Sequence, residues 1–544
     1  MTFHDVITRR SLLKGMAGGG VLAVAGGALA SCSRDGGGSG GADIVLTTGN
    51  RPYGPMPTAA EQKANPTLRA YAEALSAWSK KNPGITIKRL DFDTDNQELL
   101  VTSLAGGTAP SMFPGDVVGG WNRTAVKAAM VKGLVADVTD HLEEHKLHDK
   151  LADYAKPIWD GWAIDGKYYA APLAYNCGTG IHYRADLIKE LGLKEPTPDW
   201  TWDDVRELAK GLTTDKRKGI GLQSWGLGMR MAADGMGMFT EIPAPETTWN
   251  WRWDYTTNAD TWVPLVEGVR GMIFEDKSVL ADVTLNDPDI WNAFIGGTAA
   301  MHNNSMVFFT NSPDEDTTNV VMEKRFDKPL EELVGWMTQP IGTNGRIGTT
   351  QGQTDLLSYS PDLDEDALDA AVNLHTYMSG DGYILQKKAI FDQTKDPRRI
   401  YDWANVTPIF AGIVEALPSS PDEAWGTTFM DAVRHATQIP LVPQTSWYFP
   451  AEENSGPTTT AYDDATQKWY SEAKVDIRAD LGNLEQTRNK QAADFTSSAA
   501  DEEFVAAAKK YYGDHATYWE KNAPEFYQNV FKGWYDQTVA PALG

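Results

Sequence analysis

Two cysteines, Cys32 and Cys177, occur among 544 residues. Cys32 closes an N-terminal leader, so Cys177 stands alone in the body of the chain. No internal disulfide can form there, and no cysteine-based metal centre. Cys177 has no base near it in sequence and reads as a buried structural thiol. Histidine is sparse as well, at nine, without ligand spacing. His141, His145 and His148 fall on a charged helix and read as a solvated face. Basic residues number 49 against 74 acidic ones, a net charge of −25. So acidic a surface repels nucleic acid and anionic lipid, and disfavours an anionic solute. Beyond residue 30 no apolar run is long enough to span a bilayer. The zinc-protease pattern His-Glu-x-x-His is missing too.

What is abundant is aromatic: 19 Trp, 20 Tyr and 17 Phe. Indole and phenol rings offer flat apolar faces with a polar edge, which suits stacking on sugar rings as well as core packing.

The leader has its own pattern. Thr8-Arg9-Arg10-Ser11-Leu12-Leu13-Lys14 is a twin-arginine export signal, followed by an apolar Gly/Ala-rich stretch over Gly15–Ala30. Leu29-Ala30-Ser31-Cys32 resembles a lipobox, whose cleavage leaves Cys32 lipidated. Residues 1–31 are thus expected to be a signal peptide and 32–42 a lipidated cysteine with a flexible Gly/Ser tether. Losing 1–31 removes three basic residues and one acidic one, which takes the net charge to −27.

The mature length exceeds what one core supports, so at least two lobes are expected. Asp43–Thr48 reads as a strand, Ala59–Lys81 as a helix stopped by Asn82-Pro83-Gly84, and Ile85–Lys88 as a strand. Asp95 or Asn96 caps a helix through Leu104, Ser111–Phe113 is a short strand, and a helix holding Trp121 and Ala125–Val131 follows. Such alternation predicts a parallel sheet covered by helices, with ligands beyond the carboxyl ends of its strands. That rule selects Asn50, Asp93, Asp116 and Trp121. Asp91-Phe92-Asp93-Thr94-Asp95 lacks the Gly turn and terminal Glu of a calcium loop, so it reads as a strand end with a helix cap. Lys216, Arg217 and Lys218 give Thr213–Gly219 the wrong sign for calcium. No metal or cofactor is expected.

Further on, Asp165–Asp186 combines a Gly166 turn, a short aromatic strand over Lys167–Pro172, a second extended piece at Gly180–Tyr183 and a helix closed by Gly192. This stretch resembles the lobe-crossing strand of the bacterial extracellular solute-binding proteins of family 1, the sugar receptors of ABC importers. The matching ligand-facing positions are Tyr175 and Asn176. Pro196–Leu212 follows the same family pattern, with Thr201 or Asp203 as helix cap and Trp202 as a packing residue. Trp291–Ser305 resembles the family's helix, Gly turn and short strand ending at the cleft, where Asn303, Asn304 and Ser305 would pair with hydroxyls. One departure is Val307, where maltodextrin receptors often carry an aromatic, so their specificity does not transfer directly.

Trp249-Asn250-Trp251-Arg252-Trp253 either pins a loop to the core or builds a sugar platform. Trp225, Trp251, Trp447 and Tyr448 complete the set of candidate contacts. The resemblance implies an α/β, two-lobed periplasmic-binding-protein-like fold of type II, each lobe a mainly parallel sheet flanked by helices and joined by crossover strands. The lobes are expected at 43–170 with 345–395, and at 171–344 with 396–544. It further implies a monomeric receptor, lipid-anchored through Cys32 to the outer face of the cell membrane. Such a receptor captures a carbohydrate, an oligosaccharide in first place, and hands it to an importer permease. An extracellular carbohydrate-active enzyme is the competing class, because 74 acidic residues make coincidental carboxylate pairs certain. A peptide or polyol solute is the other alternative.

Overall fold

The computed structural model describes residues 43–119, 123–164, 166–176, 179–222, 239–280, 287–305, 318–342, 353–401, 406–438, 460–493 and 501–544. Ten strands occur among them: β1 (Ile44–Thr48), β2 (Ile85–Arg89), β3 (Met112–Pro114), β4 (Ala171–Asn176), β5 (Thr179–Arg184), β6 (Glu241–Pro243), β7 (Trp251–Trp253), β8 (Met301–Ser305), β9 (Val334–Thr338) and β10 (Gln353–Tyr359). No described helix is long and apolar enough to cross a membrane.

The chain divides into two compact units. Unit 1 takes the described parts of Met1–Leu147, Asp165–Ala171 and Leu356–Gln386; unit 2 takes those of His148–Ile164, Pro172–Asp355 and Lys387–Gly544. The division falls inside β4 and inside β10, so each of these strands passes from one unit to the other. Residues 148–164 lie in unit 2, whereas the sequence division placed them with the first lobe. Their backbone explains this: Leu151 bridges Phe410, the Ala152 amide donates to the Ile409 carbonyl at 2.7 Å and the Ala411 amide to Lys150 at 2.9 Å.

Unit 1 is built on the sheet order β2-β1-β3-β10-β4. β1 runs parallel to β2 and β3, while β10 is antiparallel to β3. The predicted helix over Ala59–Lys81 is two helices, Ala59–Ala64 and Pro66–Lys81. Pro66 cannot donate into a continuing ladder, and Asn65 instead caps the second helix by accepting from the Thr67 amide at 2.8 Å. That helix buries Leu75 and Trp78, and the Trp78 indole donates to Asn373 Oδ1 at 2.8 Å.

Unit 2 keeps the α/β type but not the expected pairing. Its two described sheets, β8-β5-β9 and the pair β6-β7, are antiparallel throughout; parallel pairing survives in isolated bridges such as Gly221 to His302. The helix Trp202–Leu212 is closed at its start by a capping box between Thr201 and Asp204, and Trp202 is buried, as a packing residue should be.

Candidate functional site

In unit 1 the loops leaving the carboxyl ends of β1 and β2 are tied into one rim. The chain packs so closely at Gly49 that a Cβ there would meet the Phe92 carbonyl oxygen at 2.5 Å. Asn50 spends its whole carboxamide on the second loop. Its Oδ1 accepts from the Thr94 amide at 2.9 Å, and its Nδ2 donates to Asp93 Oδ1 at 3.2 Å and to Asp95 Oδ2 at 2.9 Å. Arg51 Nε adds a bond to Asp95 Oδ1 at 2.7 Å. Asn50 and Asp93, both candidates from the sequence, are thus brought into contact, with Asp93 exposed at the rim. Thr94, Asp95 and Arg51, from the same two strand-end segments, complete the set.

Asp116 has a different office. It is 3 % exposed, and its Oδ2 accepts from the Leu356 amide at 2.8 Å. It pins the residue where β10 enters unit 1.

In unit 2, Tyr175 and Asn176 end β4, and Asn303, Asn304 and Ser305 end β8. β8 lies against β5 with Asn303 opposite Ile181, Asn304 opposite Gly180 and Ser305 opposite Thr179. Gly180 is required here: a Cβ would stand 2.3 Å from the Met337 carbonyl oxygen and 2.5 Å from the Trp336 ring. Asn303 is fully buried, and among the described residues neither its Nδ2 nor its Oδ1 has a hydrogen-bond partner. A buried amide left unsatisfied costs about 1–3 kcal/mol. Asn303 therefore holds unspent donor and acceptor capacity, unlike Asn50.

Trp251 sits in the core of unit 2, 6 % exposed, with its ring edge-on to Phe504 at 5.1 Å. Trp253 is stacked with Trp249 at 5.5 Å and with Tyr255 at 6.2 Å, and the Arg488 guanidinium lies 3.2 Å from its ring centre. Glu485 Oε2 accepts from the Tyr255 and Thr256 amides, both at 2.9 Å. Of the two sequence alternatives, pinning to the core is the geometry observed. Glu485, Arg488 and Asn489 share one face of the helix Ile477–Ala492. Their spacing was visible in the sequence, but their target was not. Trp121, Trp225, Trp447, Tyr448 and Cys32 lie outside the described residues.

The histidines of the charged helix are not all on a solvated face. His141 is buried, and its ring nitrogens lie 3.4 Å from Glu365 and 3.6 Å from Asp369; His145 Nε2 lies 3.0 Å from Asp369. The short helix Thr139–Glu144 turns His141 and Leu142 inward, against the helix Glu365–Ser379. His148 is half-exposed and pairs with Asp160 at 2.9 Å. Among the described residues no group of three or more His, Cys, Asp or Glu is arranged to hold a metal.

Among the described residues, the carboxylates that shift move down rather than up. Hydrogen bonds from the Thr58 backbone and hydroxyl hold Glu61 low, and Arg206 holds Asp276 low. Burial pushes Asp186 up, but bonds from Arg184 and Lys328 outweigh it and leave the carboxyl below its usual range.

A family model for the bacterial extracellular solute-binding proteins matches residues 59–354, more than half of the chain. No curated protein sequence matches. Among solved structures, an ABC substrate-binding protein of Listeria monocytogenes, in complex with cycloalternan, aligns at 20 % identity and a TM-score of 0.53, covering 82 % of this chain and 98 % of its own. The GacH receptor of Streptomyces glaucescens, solved unliganded and with acarbose, aligns at 16 % identity and 0.52, covering 84 % and 100 %. UgpB of Mycobacterium tuberculosis, in complex with glycerophosphocholine, aligns at 14 % identity and 0.53, covering 84 % and 99 %. These likenesses show a shared fold of the type II periplasmic-binding-protein kind. With a family match over more than half its length, this chain belongs to the bacterial extracellular solute-binding protein family.

Proposed function

We propose that this chain is the solute receptor of an ABC importer and that its solute is a carbohydrate, an oligosaccharide in first place. The observation that carries the reading is the family match over residues 59–354. The structures solved with cycloalternan and with acarbose support a saccharide as the ligand class. The chemistry of unit 2 agrees: Asn303 offers a neutral donor and acceptor, as a sugar hydroxyl requires. Tyr175, Asn176, Asn303 and Asn304 are the proposed contacts, with Asn50 and Asp93 on the rim of unit 1. Trp121, Trp225, Trp447 and Tyr448 stay in the proposal as aromatic contacts.

The receptor acts by binding without chemistry. Export through the twin-arginine leader and anchoring by lipid on Cys32 complete the proposal, with the permease as partner. A non-sugar solute is the second reading, favoured by the similar likeness to UgpB and its glycerophosphocholine.

Thermal-shift screening against mono- and oligosaccharides, with glycerophosphocholine as comparison and product analysis of each hit, tests this. A ligand of the folded state raises the melting temperature with its concentration over Kd. A saturable shift with the sugar recovered intact is expected. Cleaved sugar overturns the non-enzymatic reading, and a shift with glycerophosphocholine alone overturns the carbohydrate.

A further inference from the structure

His182 and His302 stand directly opposite each other in the β5–β8 register. Both are fully buried, with rings stacked at 6.3 Å and 18°. Phe294 lies 6.3 Å from each ring, and Trp291 is edge-on to His302 at 5.7 Å. Two titratable rings therefore share an aromatic box in the middle of a sheet, one residue before Asn303.

Among the described residues, the neighbouring elements bring few charges to this box. β9 places Trp336 opposite His182. On β5, Arg184 follows on the same face, but it is closed in an ion pair with Asp186 at 2.8 Å, and Asp186 also takes Lys328 at 2.9 Å. Lys218, whose segment bridges Ala299 just before β8, gives its ammonium to the Lys277 carbonyl at 2.8 Å. On the helix Asp287–Gly296, Asp289 is exposed. Protons entering the box would set like charges side by side with little solvent to stabilise them. Burial, and then the proximity of His302, hold the His182 imidazole well below its ordinary range.

We infer that His182 and His302 form an acid-sensitive latch, whose protonation opens the β5–β8 seam and withdraws the strand carrying Asn303 and Asn304. Solute capture is then strong at neutral pH and lost on acidification. The capture half rests on the receptor reading above; the seam half does not. An extracellular protein meets a medium whose pH the cell does not buffer, which gives the latch a use. The sign follows from linkage. A buried neutral histidine contributes stability fully above its unfolded pKa of about 6.5 and loses it as pH falls towards the lower folded value. With one proton taken up at His182, each pH unit below that point favours the open seam by up to roughly tenfold.

Amide hydrogen exchange of the wild-type protein and of His182→Phe, without sugar at pH 7.5 and 5.0, tests the seam after correction for intrinsic rates. The expected result is at least a tenfold loss of protection over 181–184 and 301–303 at pH 5.0 in the wild type and a much smaller loss in the variant. Equal losses in the two proteins overturn the latch. Should the variant misfold, NMR titration of the wild-type histidine ring protons decides. A His182 ring titrating near pH 6.5 with protection unchanged overturns it, whereas resistance followed by seam opening supports it. With a carbohydrate hit in hand, Kd should rise at least tenfold between these pH values in the wild type. An opened seam with unchanged Kd overturns the coupling. An opened seam with no carbohydrate bound at any pH supports the latch and overturns the carbohydrate reading.

Discussion

Asn489 brackets the backbone of Trp253: its Oδ1 accepts from the Trp253 amide at 2.8 Å, and its Nδ2 donates to the Trp253 carbonyl at 2.9 Å. One side chain thus imitates a strand partner for β7, and Arg488 covers the same indole from the preceding position of the helix. Asn489→Ala should leave both backbone groups without partners and cost about 2 kcal/mol. Chemical denaturation should show the loss in its midpoint. A red shift in tryptophan emission should accompany it, because Trp249, Trp251 and Trp253 are all buried here. An unchanged midpoint would mean that stacking alone holds the hairpin.

The Thr201–Asp204 capping box makes a milder prediction. Thr201 Oγ1 accepts from the Asp204 amide at 3.2 Å, and Asp204 Oδ2 accepts from the Thr201 amide at 2.8 Å. Thr201→Ala removes one half of this exchange and should cost about 1 kcal/mol. The helix it opens buries Val205, Leu208, Ala209 and Leu212, so the loss should appear in global unfolding. Solute affinity should not move.

The start of that helix was legible in the sequence, with Thr201 or Asp203 as its cap, and the reason is distance. Thr201 and Asp204 are three residues apart, and other signals that local chemistry writes are as near or nearer: Gly192 in the left-handed region at φ 63° directly after Leu191, or Asn96 accepting from Leu99. The Gly297 turn before β8 is of the same kind. What the sequence could not show is which distant segment a side chain meets. Asn489 lies 236 residues from Trp253, and Asp369 lies 224 from His145, so a pinned hairpin could pass for a sugar platform and a buried histidine for a solvated one. The second lobe's antiparallel pairing was hidden for a related reason. Strand direction depends on which neighbours β5 finds, and β8 and β9 are both far along the chain.

Asp186 predicts an acid limb separate from that of the histidines. Arg184 holds it through two bonds, at 2.8 and 2.9 Å, and both side chains are nearly buried. Its carboxyl sits below the usual range, so its stabilisation is present above about pH 3.9 and is lost as pH falls through the lower folded value. Asp186→Asn should cost about 3–5 kcal/mol near neutrality by stranding Arg184. The gap between wild type and variant should stay level from pH 7 to 5 and close below pH 4. Histidine titration affects both proteins alike and cancels in the difference. A gap independent of pH would mean that geometry, not charge, is what Asp186 supplies.

Asn303 gives the prediction that separates stability from function most cleanly. Its buried carboxamide lacks partners among the described residues, while its cross-strand neighbour Ile181 is apolar and also fully buried. An apolar side chain of similar volume would therefore suit the ligand-free fold better. Asn303→Leu should raise the stability of the ligand-free protein by about 1 kcal/mol, since the unsatisfied amide disappears. The same change should weaken carbohydrate binding at least tenfold, about 1.4 kcal/mol, because a hydroxyl loses both its donor and its acceptor. Denaturation without solute and calorimetric titration with it measure the two effects on one sample. Opposite signs are what a strand built to bind predicts, as retained polarity costs the free fold what the ligand later recovers. A variant that loses stability and keeps its affinity would instead assign Asn303 to packing and move the contact to Asn304 or Tyr175.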